Sequence, residues 1–158
     1  MTVLDIGQII LKNEAETKVF AEKVASCAAV GDVICLFGDL GAGKTSFARF
    51  FIRRLTNADE DVPSPTYTLA QNYQTISPPA SIDIWHYDLY RISDPSEVIE
   101  LGIEEAVCDG IVLVEWPESA LSLLPSKKLE IYFEFSSLAE ERIITLRGSE
   151  KWCILGVQ

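Results

Sequence analysis

The sequence predicts an α/β fold: a mixed sheet flanked by helices, with an antiparallel hairpin as an extension. Three observations carry this. Two short apolar runs, "DVICLF" and "GIVLVE", lack polar alternation, as strands covered on both faces do. A glycine-rich stretch, "GDLGAGKT", joins the first run to the amphipathic segment "TSFARFFIRRL", so that strand, tight turn and helix follow one another. Later, "KKLEIYFEF" alternates at period 2, as a strand with one open face does.

Taken in order, "NEAETKVFAEKVASCAAVGD" reads as the first helix. Asn13 caps it, Glu16 completes a capping-box pattern, and Gly31 suits its C-terminal stop. Phe20, Val24 and Cys27 recur at helical spacing. After the glycine-rich turn, Phe47, Phe51 and Leu55 mark the buried stripe of a second helix, with Arg49 and Arg53 on another face. "PSPTYTLAQNYQTI" and "SIDIWHYDLYRI" read as two long strands of a hairpin joined around Pro78 and Pro79. "DPSEVIELG" is a helix capped by Asp94, with Pro95 at its first position, Glu97 at the third and Gly102 at its end. Pro117 stops the buried strand "GIVLVE". In "KKLEIYFEF", Leu129, Ile131, Phe133 and Phe135 share one face, and "RIITLRG" is a further strand. The early strands are expected to alternate with helices, with antiparallel strands added later. The tail "KWCILGV" is too short to assign.

The 158 residues suit one domain, 1–158, with one sizeable core, and 48% of them are apolar. No apolar stretch approaches the ~20 residues that span a bilayer. "MTVLDIGQII" has neither a positive start nor a long apolar stretch, so no signal peptide is read. The expected compartment is the cytoplasm, without membrane association. The four cysteines form no CxxC pair and there is one histidine, which argues against a zinc site. Cys27 and Cys35, in apolar surroundings, read as small buried thiols. Acidic residues outnumber basic ones, 24 to 13, for a net charge of −11. Such a surface repels phosphate backbones, so any link to nucleic acid is expected through a partner. The cluster Arg49, Arg53 and Arg54 is the basic exception, either solvated or facing an acidic partner surface.

Gly38, Asp39, Leu40, Gly41, Ala42, Gly43, Lys44 and Thr45 match G-x-x-x-x-G-K-[ST] in full, between a strand and a helix. The glycines let successive backbone N–H groups curl around phosphate oxygens, and the helix start adds its positive dipole end. Lys44 is placed for the β- and γ-phosphates and Thr45 for Mg²⁺. With Ser46 in the first helical turn, these are the candidate nucleotide-binding residues, on a P-loop NTPase-type sheet. Such sites add an acid at the tip of a neighbouring strand. Glu115, ending "IVLVE", fits as a metal ligand and catalytic acid beside Thr45; the plain alternative is a residue where a strand surfaces.

In "WHYDLYR", period 2 sets His86 and Asp88 on one face and Trp85, Tyr87 and Leu89 on the other, the apolar set facing the core. Asp88 within a strand needs a partner: metal-bound water, Arg91, or the hydroxyls of Thr66 and Thr68. It is the second candidate catalytic acid. His86 reads as a hydrogen-bonded packing residue. "SPTYTL" fits either a loop sensing the γ-phosphate or a stiff connection. Trp116 fits either apolar filling or a lid. No [NT]-K-x-D tetrapeptide is present, which favours ATP over GTP, and no arginine-rich lid follows Glu115, which weakens a small-metabolite kinase reading. With Arg91 as the sole arginine-finger candidate, unaided hydrolysis is expected to be slow.

The blocks "GDLGAGKTSFAR", "SPTYTL", "HYDLYR" and "LVEWPE", in this order, resemble the bacterial TsaE (YjeE) family, as does the connecting "ELGIEE". The resemblance runs from about residue 5 to residue 135. It implies an ATPase using ATP and Mg²⁺ that works with the TsaD and TsaB proteins. That machinery places threonylcarbamoyl on the tRNA adenosine next to the anticodon, and tRNA is then met only through the complex. The ATPase of such a protein resets the complex between turnovers. The resemblance further implies phosphate binding by Gly38–Thr45, Mg²⁺ on Thr45 and Glu115, an essential acid at Asp88, a tryptophan beside the site at Trp116, and Thr17 near the nucleoside. A small-metabolite kinase and a nucleotide-gated binding module are the rival readings.

Overall fold

The computed structural model describes residues 2–76 and 80–156. Strand β1 (Leu4–Leu11) leads into helix α1 (Glu14–Cys27), strand β2 (Val33–Phe37) and helix α2 (Lys44–Leu55). Strands β3 (Ala70–Gln74) and β4 (Asp83–Asp88) follow, then short helices α3 (Pro95–Glu100) and α4 (Ile103–Asp109) and strand β5 (Gly110–Glu115). A 3-10 segment (Pro117–Leu123) precedes strands β6 (Leu129–Phe135) and β7 (Arg142–Gly148), and a second 3-10 segment covers Glu150–Leu155. Among the described residues the strands form one sheet, ordered β1-β7-β6-β2-β5-β4-β3. Its centre is parallel: β2 pairs with both β5 and β6, and β5 with β4. Antiparallel strands close both flanks, β3 on β4 and β7 and β1 beyond β6.

Both faces of the central strands are covered, which is why β2 and β5 read as unbroken apolar runs. One face packs under α1 and α2, where Phe47 meets Phe20 at 5.6 Å, Phe133 at 5.8 Å and Phe51 at 6.2 Å between ring centroids. The other packs under α3, α4 and the first 3-10 segment, with Cys35, Tyr87, Val98, Ile103 and Val114 together. Burial pushes the Cys35 thiol above the ordinary cysteine range and the Tyr87 phenol up to about 12, so both stay neutral core groups. Cys27 is half-buried at the rim, whereas Cys108 and Cys153 are exposed. No helix among the described residues is long and apolar enough to cross a membrane.

Several elements differ from the sequence reading. The N-terminal segment is an edge strand, β1, which the sequence did not announce. Strand β6 runs parallel to β2, so only β7 and β1 are antiparallel additions on that side. Asn13 does cap α1, accepting from the Glu16 N–H at 3.0 Å, but the Glu16 carboxylate returns to the Lys12 N–H at 2.7 Å. The helix ends at Cys27, and Gly31 (φ +93°) instead turns the chain into β2, its N–H on the Gly110 carbonyl at 2.8 Å. The hairpin is present but shorter: 65–69 is turn, Leu69 has φ +66°, and β3 starts only at Ala70. Its joint at Pro78 and Pro79 lies outside the described residues. α3 is capped by Asp94, with Pro95 first, as expected, but Gly102 (φ +72°) begins α4 as well. Leu129, Ile131 and Phe133 are buried, whereas Phe135 at the strand end is exposed. Arg49 and Arg53 hold the 60–62 segment through the carbonyls of Val62 (3.4 Å) and Glu60 (3.0 Å), and Arg54 is exposed.

Adjacent residues of α1 offer a direct check on this packing. Phe20 is 6% exposed against Phe47, and Val19 is 67% exposed on the far face. Phe20→Ala is expected to cost about 3–5 kcal/mol of stability. Val19→Ala should stay within about 0.5 kcal/mol of the wild type. Urea unfolding followed by circular dichroism measures both.

Candidate nucleotide-binding site

The site begins where β2 runs out. Gly38 (φ +143°) and Gly43 (φ +113°) hold backbone conformations that L side chains rarely adopt. Gly38 is also needed for room: a Cβ there would sit 2.6 Å from the Phe133 carbonyl oxygen of β6. The Ala42 N–H closes onto the Asp39 carbonyl at 3.1 Å, with Ala42 buried inside the turn and Leu40 exposed outside it. Gly43 is the N-cap of α2 and no side chain caps that helix. The first-turn N–H groups of Lys44, Thr45 and Ser46 therefore have no intrahelical partner and point out of the helix start. Arg142 of β7 supports the loop from behind, donating to the carbonyls of Ala42 (3.1 Å) and Gly41 (3.4 Å).

Lys44 is only 4% exposed. Its ammonium donates to the carbonyls of Gly38 and, at 2.8 Å, Asp39, and lies 4.2 Å from the centroid of the Trp116 ring. Burial lowers the Lys44 pKa from the ordinary lysine range, and the charges of Glu115 and Asp88 oppose that shift. Trp116, with φ +55°, turns its ring over the lysine and meets Tyr90 at 4.8 Å, so it covers the site.

The acids arrive through strand register. Asp88 and Glu115 are cross-strand neighbours at the C-terminal ends of parallel β4 and β5, and Glu115 is level with Leu36 of β2. Open parallel sheets place their ligand crevices at this edge. The Thr45 hydroxyl donates to Glu115 Oε1 at 2.6 Å, across 70 residues of chain. His86 Nε2 lies 2.7 Å from Glu115 Oε2. Of the partners open to Asp88 in the sequence, Thr66 is the one found: its hydroxyl donates to Oδ2 at 3.0 Å, and the Tyr90 N–H reaches Oδ1 at 3.0 Å. Arg91 lies instead over the Tyr67 ring at 4.4 Å, and Thr68 accepts from Gln71 at 3.1 Å. Ser64 is 2.8 Å from the Thr66 hydroxyl, so the "SPTYTL" stretch is tied to the acid.

These groups line a cavity of about 240 Å³ that brings together Lys44, Thr45, Ser46, Asp88, Glu115 and Trp116 with the loop. A second cavity of about 480 Å³ shares Gly41, Gly43 and Ser46 with it. Thr17 lines that second cavity beside Asn13 and Arg142, and its own hydroxyl is 3.4 Å from the Asn13 carbonyl. A larger hollow of about 650 Å³ over β6 and β7 contains neither Lys44 nor the acids. Among the described residues no group of three or more His, Cys, Asp and Glu side chains is set to hold a metal alone. Thr45 and Glu115 offer one hydroxyl and one carboxylate. That hard-oxygen pair suits Mg²⁺, which takes one or two carboxylates and completes its shell with phosphate oxygens and water. Sequence reasoning read His86 as a hydrogen-bonded packing residue without naming Glu115 as its partner, and passed over the loop contacts of Arg142. The shared face of His86 and Asp88 was a usable signal for the first; nothing local marks the second.

A glycine-rich loop mounted this way on a parallel sheet places the molecule in the P-loop NTPase class of folds. The family model described as "Threonylcarbamoyl adenosine biosynthesis protein TsaE" matches residues 11–144. The chain belongs to the TsaE family. It is 41% identical over 126 residues to the tRNA threonylcarbamoyladenosine biosynthesis protein TsaE of Rickettsia felis, covering 80% of this chain and 71% of that one. With the Bacillus subtilis protein of the same name it shares 38% identity over 134 residues, 84% of this chain and 80% of that one. The crystal structure of Bacillus subtilis YdiB superimposes with a TM-score of 0.74 at 30% identity, covering 98% of this chain and 91% of the other.

The approach of Gly38 to Phe133 can be tested without any ligand. Gly38→Ala is expected to destabilise the protein by at least about 1–3 kcal/mol, through strain in the backbone and the clash with β6. Thermal unfolding compared with the wild type reads this.

Proposed function

We propose that this protein, a single P-loop NTPase domain over 1–158, is a Mg²⁺-dependent ATPase serving tRNA threonylcarbamoyladenosine synthesis with TsaD and TsaB. One observation supports this above all: the convergence of Lys44, Thr45, Glu115 and Asp88 on one cavity at the mouth of the glycine loop. The relatives' shared name supplies the pathway. In this reading Gly38–Ser46 bind the phosphates through backbone N–H groups, and Lys44 exchanges the loop carbonyls for phosphate oxygens. Thr45 and Glu115 would hold Mg²⁺, which when bound would supply positive charge against the phosphates. Asp88, steadied by Thr66 and Tyr90, accepts a hydrogen bond from the attacking water and orients it. The second cavity, with Thr17, receives the nucleoside. Arg91, the sole arginine-finger candidate, lies over the Tyr67 ring, so hydrolysis is slow alone and faster in complex, where added charge stabilises the transition state. The acidic surface, −11 overall, leaves tRNA to the partners, and the protein works in the cytoplasm.

Lys44→Ala is expected to abolish ATP binding with the circular dichroism spectrum unchanged, as calorimetric titration would record. Glu115→Ala and Asp88→Asn should lower hydrolysis in the partner complex about 100-fold or more, while ATP affinity falls far less. A wild-type rate in either variant removes that residue from the mechanism.

Coupling of the ATP cycle to the complex must be reciprocal. TsaB and TsaD should change the ATP affinity by the factor by which ATP changes theirs, measured by titration in both orders. Depletion should lower threonylcarbamoyladenosine in tRNA hydrolysates. Normal levels, together with a phosphorylated small molecule in a mass-spectrometric screen, would favour a kinase. Coupled binding without phosphate release would leave a nucleotide-gated binding module.

A further inference from the structure

The chain's only histidine lies directly beneath the candidate metal acid, and the mechanism above gives it no task. Resting on the reading of Glu115 as a Mg²⁺ ligand, we propose that His86 is a positioning residue: it fixes the Glu115 carboxylate so that one oxygen faces Thr45 and the metal.

His86 is fully buried in β4, in register with Leu113, two residues before Glu115 on the same face of β5. Its Nε2 is 2.7 Å from Glu115 Oε2, while Oε1 takes the Thr45 hydroxyl at 2.6 Å. The two carboxylate oxygens thus have separate partners on different elements, β4 and α2, and rotating the carboxylate breaks both bonds. An ionised carboxylate only accepts, so Nε2 carries the proton. Nδ1 is buried with no partner among the described residues. A proton there would be an orphaned N–H, so the bond to Glu115 through Nε2 is the one hydrogen bond the ring makes among the described residues. An apolar side chain would fill this buried position without a bare polar atom; the bond from Nε2 to Glu115 is what offsets that cost. Partners that orient a metal ligand from behind act in this way, and their loss typically costs about 10–100-fold in metal affinity or activity.

The test measures ATP affinity in Mg²⁺ and in EDTA, and takes the ratio as the metal's contribution. His86→Ala should reduce that ratio about tenfold or more with the EDTA affinity unchanged. His86→Gln, whose amide nitrogen reaches the Nε2 position, should stay within about threefold of the wild type, and His86→Asn, whose amide reaches only the Nδ1 position, should fail like alanine. Adding His86→Ala to Glu115→Ala should change the ratio no further, because His86 acts through that carboxylate. If His86→Ala does not fold, the Gln and Asn variants carry the comparison. A ratio unchanged in Asn, equal losses in Gln and Asn, or an additive double variant would each overturn the proposal. A second readout needs no nucleotide. The single histidine gives one ¹⁵N imidazole signal set, expected to show Nε2–H and bare Nδ1 and to shift in Glu115→Gln. A proton on Nδ1 alone would overturn the bond itself. A wild-type protein whose ATP affinity ignores Mg²⁺, with the imidazole signal as expected, would instead overturn the metal reading of Glu115 and leave the hydrogen bond standing.

Discussion

The parallel pairing of β4, β5 and β2 is the constraint on which the site depends. It brings Asp88, Glu115 and Leu36 to one level, at the edge where the glycine loop leaves β2. Three segments distant in sequence are thereby set side by side by backbone hydrogen bonds, which are stiffer than any side-chain contact. Two covered faces make this possible: the side chains of each face are close-packed against their own helices, so a slip would misfit both layers at once. The phosphate loop and its acids therefore need little rigidity of their own.

Around that frame, polar groups are satisfied in layers. Glu115 holds Thr45 and His86, Asp88 holds Thr66 and Tyr90, and Thr66 is within reach of Ser64. Buried carboxylates are tolerated only with such partners. The turn from 65 to 69, which has no strand pairing of its own, is fastened to the centre through this chain of hydroxyls. Lys44 is handled likewise: two loop carbonyls and an aromatic face stand in for water while it is buried.

Much of this was legible in the sequence, for physical reasons. The loop, α2, β2 and β5 are each specified by local chemistry, by glycines, by helical spacing and by unbroken apolar runs. Asp88 and Glu115 stood out because carboxylates in apolar strands need an explanation. What escaped depends on distant pairing. β1 alternates weakly, with Leu4 and Ile10 exposed, and is a strand because β7 offers it an edge. The parallel sense of β6 follows from its neighbour β2. The "PSPTYTL" stretch has β-branched residues, but its prolines and its bonds to Asp88 keep it out of the sheet. Helix α4 was within reach, since Ile103, Ala106 and Val107 recur at helical spacing. Thr17 came into view only by likeness to a family, and its place beside the loop results from how α1 lies across α2.

The pairing of β1 has a further consequence in time. Among the described residues its only partner strand is β7, with Leu11 opposite Arg142 and Leu4 opposite Gly148. During synthesis at about 5–20 residues per second, the first strand must wait on the order of 10 s for the other to emerge. Arg142, which braces the loop carbonyls, comes with the same strand. A nascent chain ending before it thus carries the whole glycine-rich signature without its brace, with an unpaired apolar segment at the N-terminal end. Contacts this long-range slow folding, and over that interval the edge groups of β1 have no strand to pair with.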